Sequence, residues 1–368
     1  MRIVFVTTGL DRAGAEMQIR DLAVAYTARN HSVTVISLTR PKALVQDFAH
    51  HAIALHDLGL DAAKKSPVSF IQAIFTARRL IQQLRPDIVH AHMVHANLFS
   101  RLAAALGGWP PLICTAHNIH EGGKLRDWAY RLTNSFSSLN TTISKAATER
   151  FVSDRVFPAE TTLTVRNGID VCKFQPRAAR TTQIEDAVFR WICVGRLHEQ
   201  KDYPTLLRAM AQVPNCSLSI YGVGALLASL HNLTGELGLG DRVQFLGAKD
   251  GIEFLMPDYD GFVLASAWEG FGLVVAEAMA CELPVVATRS GGPQEILGET
   301  ESAGFLVDPR SPAALAGAMQ RMMALPEAER RGMGKAGRQR IVELFSIDSV
   351  ADRWLEIYGD LAQRKAPK

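Results

Sequence analysis

No hydrophobic run in this chain comes near the about 18 apolar residues that a membrane-crossing helix needs, so no such helix is expected. Cysteine is scarce and scattered: Cys114, Cys172, Cys193, Cys216 and Cys281, five in 368 residues, with no C-x-x-C pair. An odd, dispersed set speaks against a disulfide framework or a structural zinc site, and a reducing cytoplasm fits. The chain lacks low-complexity tracts and internal repeats, which sets aside disordered and solenoid classes. The first strand is not followed by G-x-G-x-x-G, so a dinucleotide site is disfavoured. No Asp-x-Asp motif is read as holding Mg²⁺ on a diphosphate, and neither a metal nor a cofactor is expected. The opening Met1-Arg-Ile-Val-Phe-Val6 has one charge and a very short apolar stretch, which reads as a first β-strand rather than a signal peptide.

What is present is an ordinary globular composition, 48% hydrophobic and 21% charged, in a chain long enough for two domains. The net charge of +3 is unevenly spread. Residues 1–175 hold 20 Lys+Arg against 13 Asp+Glu, the rest 20 against 24, and nine of eleven histidines fall in the first part. A basic first half suggests an anionic partner, either a phosphorylated acceptor or a membrane surface. An ordinary solvated surface gives the same count. Nucleic acid is not an expected partner.

Short apolar runs alternate with helical patterns throughout. Strands are expected at 3–7, 32–38, 53–56, 88–91, 112–116, 139–143 and 163–165, then at 189–194, 217–221, 243–245, 261–264, 285–287 and 304–307. Helices are expected at 15–28, 68–84, 97–105 and 145–152, then at 203–210, 225–237, 273–280 and 312–324. This alternation implies an α/β fold with parallel sheets and helices on both faces. The aperiodic stretch 173–187 reads as a linker between two Rossmann-like domains, 1–175 and 187–346. Such domains bind ligands at the carboxyl ends of their strands, so a cleft between them is the expected site.

The most informative segment is Glu269-Gly-Phe-Gly-Leu-Val-Val-Ala-Glu277. A helix opening near Gly272 puts Glu269 in the loop before it and Glu277 on its second turn, so both can border one pocket. Backbone N–H groups of Phe271, Gly272 and Leu273 would face that pocket, where the helix dipole favours an anion. Carboxylates for hydroxyls and open N–H groups for phosphate suit a nucleotide-sugar. Upstream, Val194-Gly-Arg-Leu-His-Glu-Gln-Lys201 ends a strand with two cations. Arg196 can grip a diphosphate with two N–H groups and Lys201 as a point charge, although a surface pair balanced by Glu199 and Asp202 explains them too. Gly9 and Gly14 allow a tight turn into the first helix, with the Gly14 N–H open to a phosphate. His117 ends a strand as a candidate hydrogen-bonding or acid/base group. His90 and His92, with His95 near, bring no carboxylate or cysteine to complete a metal site, and a buried or cleft-lining role is expected. Asn167-Gly168 reads as a turn closing the first domain or as a ligand contact. Tyr221-Gly-Val-Gly224 and Gly291-Gly-Pro-Gln-Glu295 close strands near the same cleft.

Taken in order, these segments resemble the family 4 retaining glycosyltransferases of GT-B fold, also called glycosyl transferases group 1. The resemblance is carried by the loop ending at Glu16, Val-His-Ala-His92, Thr-Ala-His117, Ile-Ser-Lys145 and Asn-Gly-Ile-Asp170. It continues through Val-Gly-Arg-Leu-His-Glu-Gln-Lys-Asp202, Phe-Leu-Gly247 and the segment to Glu277 with Ala-Met-Ala-Cys281. It implies that Arg196 and Lys201 hold the donor diphosphate, helped by backbone at Gly14, Phe271, Gly272 and Leu273. Glu277 would then bind ribose hydroxyls, Glu269 the donor sugar, and backbone near Gly247 and Lys249 the base. His117 would lie beside the donor sugar. The helix 349–361 would cross back onto the first domain. Ala13 replaces a frequent glycine, and if it needs positive φ the loop is reshaped.

The resemblance implies a metal-independent transfer of a hexose or N-acetylhexosamine from a UDP-linked sugar, with retention through an oxocarbenium-like transition state. The set His117, Glu269, Arg196 and Lys201 would carry catalysis. Two alternatives stay open: a UDP-sugar epimerase on the same fold, and a non-catalytic nucleotide-sugar-binding subunit. The acceptor implied is a glycan or a polyprenyl-diphosphate-linked glycan of surface polysaccharide or glycoconjugate synthesis. The basic helix 70–85 can dock on an anionic membrane, which would place the protein in the cytoplasm at the inner membrane face, or its apolar residues can pack inside.

Overall fold

A computed structural model describes every residue except 12, 42, 62–65, 120, 178–187 and 365–368. Arg12 of the first loop and residues 178–187 of the expected linker therefore lie outside the described residues. The chain divides into two compact units, Met1–Gly168 with Ile347–Lys368, and Ile169–Ser346.

The first unit runs β1 (Arg2–Thr7), α1 (Gly14–Ala28), β2 (Ser32–Thr39), α2 (Val45–His50), β3 (Ala54–Leu60), α3 (Pro67–Leu84), β4 (Ile88–His92), α4 (Val94–Ala105), β5 (Leu112–Ala116), α5 (Lys124–Thr133), β6 (Leu139–Thr142), α6 (Lys145–Ser153) and β7 (Thr162–Thr164). Its strands form one seven-stranded sheet in the order β3-β2-β1-β4-β5-β6-β7. All pairs are parallel. Parallel strands are buried on both faces, which is why β1 and β5 read as near-continuous apolar runs and why even the histidines of β4 are buried. Ile3, Phe5, Ile19 and Leu22 build the core on one face. Val4, Val6, Ala73, Ala77 and Phe99 build it on the other.

The second unit runs β8 (Phe189–Val194), α7 (Tyr203–Met210), β9 (Cys216–Tyr221), α8 (Leu227–Glu236), β10 (Val243–Phe245), α9 (Ile252–Leu255), β11 (Gly261–Leu264), α10 (Leu273–Ala280), β12 (Val285–Thr288), α11 (Gly292–Leu297), β13 (Gly304–Val307), α12 (Pro312–Ala324) and α13 (Glu327–Phe345). Its six strands take the order β10-β9-β8-β11-β12-β13, all parallel. A last helix, α14 (Ile347–Arg364), belongs to the first unit. Its Trp354, Ile357 and Tyr358 sit in the core beside Tyr26 and Phe5, and Arg29 pairs with Asp348 at 2.7 Å and Asp352 at 3.1 Å.

The crossing between units lies at Gly168–Ile169, ahead of the linker expected from composition. Ile169 N donates to the Phe345 carbonyl (2.7 Å), and Arg338 Nη1 donates to the Phe174 carbonyl (3.0 Å), so residues 169–174 join the second unit. Gly168 is a turn. A Cβ there would meet Ile347 Cα at 2.8 Å, and its N–H donates to Gln18 Oε1 at 2.8 Å. The helices α2, α5 and α13 had no place in the periodicity reading. In α13 the buried positions include Gly334, where a Cβ would meet the Glu282 carbonyl oxygen at 2.0 Å, so glycine rather than a large apolar residue makes that contact.

Candidate active site

In the second unit, the carboxyl ends of adjacent strands β8 and β11 bring Lys201 and Glu269 together. Lys201 ends a single 3₁₀ turn, Glu199–Lys201, after the β8 loop. Glu269 follows β11. Lys201 Nζ donates to Glu269 Oε1, Ser266 Oγ donates to the same oxygen at 2.7 Å, and Gln200 Nε2 donates to Oε2 at 3.4 Å. The lysine and glutamate side chains are only 13% and 8% exposed. The two loops are also tied by Ala267 N to the Gln200 carbonyl (2.8 Å). The sequence reading gave Lys201 to the diphosphate and Glu269 to the sugar as separate duties; the structure makes them one ion pair. Arg196 is exposed and has no ion-pair partner among the described residues.

The backbone around Glu269 is fixed by the Gly291-Gly292 turn. Glu269 N donates to the Ser290 carbonyl (2.7 Å) and Gly292 N to the Glu269 carbonyl (3.4 Å). A Cβ on Gly292 would sit 2.0 Å from the Phe271 carbonyl oxygen. Gly272 caps α10 in the left-handed region (φ 88°) with no side-chain cap. The N–H groups of Phe271, Gly272 and Leu273 have no partner among the described residues. That leaves a helix N-terminus whose donors face outward, the arrangement that binds anions. Glu277 is half-buried on the second turn of α10. Its charge, after burial, helps push the Cys281 thiol up to about 12.

The Tyr221-Gly-Val-Gly224 turn presses on the β8 loop. A Cβ on Gly222 would meet the Gly195 carbonyl oxygen at 1.9 Å, and one on Gly224 the Leu197 oxygen at 2.2 Å. These glycines admit backbone against backbone. Gly247 (φ 70°) accepts from Gly222 N at 2.9 Å, and Lys249 beyond it is exposed.

In the first unit His117 follows β5 and is 7% exposed. Its Nε2 lies 3.0 Å from His92 Nδ1. Burial pushes the His117 imidazole down to about 4 and the His92 ring well below its ordinary value, so both are neutral near pH 7. His117 Nδ1 and His92 Nε2 are buried without a partner among the described residues, which asks for an explanation. His90 bonds Tyr358 and Thr115, both at 2.6 Å, so it has the buried role expected of it. Met93, next to His92, stands at φ 71° and ψ 152°, a strained position of the kind that gathers at functional sites. Gly14 opens α1, and Ala13 before it has φ −123°, so alanine fits there without reshaping the loop.

The sequence reading missed Ser266 and Gln200, which hold Glu269, and Glu121 and Tyr130 beneath His117. Only adjacency marked them: Gln200 precedes Lys201, and Glu121 follows His117 by four. It also passed over an Asp-x-Asp spelling, Asp258-Tyr-Asp260. Asp260 accepts the Arg190 N–H at 2.8 Å and Asp258 pairs with Arg177, both at the amino end of β11, away from the strand ends that carry the site. A cavity of about 380 Å³ beside them, lined by Arg190, Ser219, Tyr221 and Tyr259, contains none of the site residues. No cluster of three or more His, Cys, Asp or Glu side chains is arranged for a metal among the described residues.

Comparison with known proteins follows the same division. Residues 12–173 match the family model Glycosyltransferase Family 4, and residues 176–340 match Glycosyl transferases group 1. An uncharacterised glycosyltransferase of Methanocaldococcus jannaschii is 30% identical over 339 residues, covering 82% of this chain and 84% of its own. The UDP-Gal:α-D-GlcNAc-diphosphoundecaprenol α-1,3-galactosyltransferase of Escherichia coli is 26% identical over 324 residues, covering 82% of each chain. Among solved structures, Anabaena HepE in complex with UDP superposes with a TM-score of 0.84 at 23% identity, covering 98% of this chain and 100% of that one. The chain is an enzyme with the two-sheet α/β fold of these proteins, and it belongs to the family 4 glycosyltransferases of GT-B fold.

Proposed function

We propose that the protein transfers a hexose or N-acetylhexosamine, with retention and without a metal, from a UDP-sugar to a glycan or lipid-diphosphate-linked acceptor. The observation that carries this reading is the cation-and-amide cradle of the second unit. The guanidinium of Arg196, which has no ion-pair partner among the described residues, the ammonium of Lys201 and the outward N–H groups at Phe271, Gly272 and Leu273 are groups suited to stabilise charge on a leaving diphosphate. Glu277 would take the ribose hydroxyls, Gly247 and Lys249 the base, and Gly14 and His117 of the first unit the phosphate and sugar. Both oxygens of Glu269 are already engaged by Lys201, Ser266 and Gln200, which favours orientation of the sugar over nucleophilic attack. Anabaena HepE has been solved with UDP and glucose. The E. coli relative is named for UDP-Gal and a diphosphoundecaprenol-linked acceptor. Both support the donor and acceptor classes.

The test is turnover of a UDP-sugar panel with a lipid-diphosphate-linked acceptor, with and without EDTA, with the product anomer read by NMR. Undiminished turnover in EDTA and a product of the donor's own anomeric configuration are expected. Strict dependence on a divalent metal, or an inverted product, overturns the reading.

A contact with the membrane by the first unit is part of this proposal. Val68, Ile71 and Phe75 stand exposed on the outer face of α3, while Ala73, Ala77 and Ile81 pack inward. Leu125, Trp128 and Leu132 form a second exposed stripe on α5, at 79%, 56% and 57% exposure. The helix α4 binds both, through Arg78 Nη1 to the Ala103 carbonyl (2.7 Å) and Arg101 Nη1 to the Tyr130 carbonyl (3.1 Å). No helix among the described residues is long and apolar enough to cross a membrane.

A further inference from the structure

Glu121 has no role in the site as described so far. It lies between β5 and α5, is 7% exposed, and accepts from two donors: the His117 N–H at Oε1 (2.9 Å) and the Tyr130 hydroxyl at Oε2 (2.6 Å). The Tyr130 oxygen accepts in turn from Asn97 Nδ2 at 3.0 Å, and the same nitrogen donates to the Thr115 carbonyl at 2.9 Å. On its backbone side the Glu121 carbonyl accepts from Arg126 Nη1 at 2.9 Å. Gly122 (φ +104°) brings that guanidinium so close that a Cβ would lie 2.1 Å from Nη1. The loop leaving β5 is thus tied to α4 and α5 on both sides of one buried carboxylate.

We propose that Glu121 is the positioning residue of His117: its ionised carboxylate, accepting the His117 N–H and the Tyr130 hydroxyl at once, sets how the imidazole is presented to the substrate. The proposal rests on reading His117 as a site residue. Its chemistry is a matter of donors and acceptors. A carboxylate only accepts, whereas a neutral carboxyl adds a proton to a cluster in which His117, Tyr130 and Asn97 already donate, so protonation disturbs at least one bond.

The groups facing Glu121 are Tyr130 and Arg126 of α5, Arg101 of α4, Cys114 of β5, and His117 with His92 behind it. Burial pushes the Glu121 carboxyl up to about 7, against the opposing pull of the Tyr130 and His117 hydrogen bonds and the two arginines. The Cys114 thiol and the Tyr130 phenol are pushed up by burial, and His117 down to about 4. Glu121 is therefore the member of this cluster that changes charge near neutrality. An acid with a raised folded value stabilises the fold fully only below its ordinary 4.5, and that contribution is lost as pH rises to about 7. The ordered His117 loop thus forms over the same range in which the fold gives up stability.

The experiment uses the full chain labelled with ¹⁵N-histidine. The His117 backbone amide is followed by NMR from pH 5 to 9 in the wild type and in Glu121→Gln, alongside kcat and KM for the UDP-sugar. The wild-type amide is expected to shift with a midpoint of about 7 and the variant amide to stay flat. The variant should lose kcat on the order of 10- to 100-fold while KM for the donor, gripped by the second unit, stays within about threefold. Tyr130→Phe, which keeps the ring and removes one donor, gives a smaller loss in the same direction and serves if Glu121→Gln does not fold. An amide that does not titrate, or Glu121→Gln with the wild-type kcat and pH profile, overturns the proposal. If the amide titrates as expected while His117→Ala keeps full activity, the loop is positioned by Glu121 but the reading of His117 has failed, so the two failures are told apart.

Discussion

At the scale of single residues, the site holds two kinds of cation, and they respond differently to removal. Lys201 is buried against Glu269, whereas Arg196 is exposed and unpaired among the described residues. Glu269→Ala leaves a buried ammonium without its counter-charge, a change that costs about 3–5 kcal/mol. A large drop in the denaturant midpoint is therefore expected, together with lost turnover. Arg196→Ala removes a solvated group, so the midpoint should stay put while kcat/KM falls on the order of 100-fold, the scale of one missing charge-stabilising donor. Equal effects of the two variants on stability would refute this contrast. Both residues were legible in the sequence because strand ends and spacing announce them. Their pairing was not, since positions 68 apart in the chain reveal nothing about which loops meet. Ser266, Gln200, Glu121 and Tyr130 were illegible for a related reason: they act through other side chains, and no local pattern marks such a residue.

At the scale of elements, the opening of α10 depends on a neighbouring turn rather than on its own cap. Gly272 supplies the left-handed start, but Gly292 lets the chain pass directly over the Phe271 carbonyl. An added methyl at Gly292 would meet backbone on the oxygen, carbonyl carbon and Cα of Phe271, at 2.0 to 2.3 Å, and backbone cannot swing aside as a side chain does. Gly292→Ala should displace the donors at Phe271, Gly272 and Leu273 and weaken UDP binding by about 1–3 kcal/mol, read by calorimetry. Gly317→Ala, on a helix with open space around it, is the matched control and should leave binding unchanged. A Gly292→Ala protein that binds UDP as tightly as the wild type would show that these amides do not hold the phosphate. The helix itself was plain in the sequence, because an apolar run behind a glycine turn is a local signal. The helix α5 was not, because Leu125, Trp128 and Leu132 point outward and give no inward stripe to read.

At the scale of the whole molecule, the sequence shows a basic first part and an acidic second, and the structure shows which side chains the first unit leaves exposed. Its sheet alternation was readable throughout, since parallel strands and their crossovers follow simple periodicities. The return of α14 to this unit came only with the family resemblance, for nothing in a terminal amphipathic helix says which core it joins. The apolar faces of α3 and α5 add what charge counting could not: exposed Val68, Ile71, Phe75, Leu125, Trp128 and Leu132, with exposed Arg79, Lys124 and Arg131 on the same helices. Aromatic and aliphatic side chains flanked by cations are the composition of an interfacial surface, where apolar burial and attraction to anionic lipid act together. The electrostatic part weakens with salt, because screening shortens its reach from about 10 Å at 0.1 M to about 3 Å at 1 M. The full chain should therefore sediment with vesicles containing anionic lipid at low salt and release progressively as salt is raised. Trp128→Ala should weaken binding at every salt concentration, and Arg79→Gln with Lys124→Gln should remove mainly the salt-sensitive portion. Since all three side chains are on the outer surface, the variants should keep the wild-type melting temperature and full turnover of a water-soluble acceptor. Absence of vesicle binding at low salt would leave the stripes without a membrane partner, and the acceptor would then have to reach the enzyme from solution.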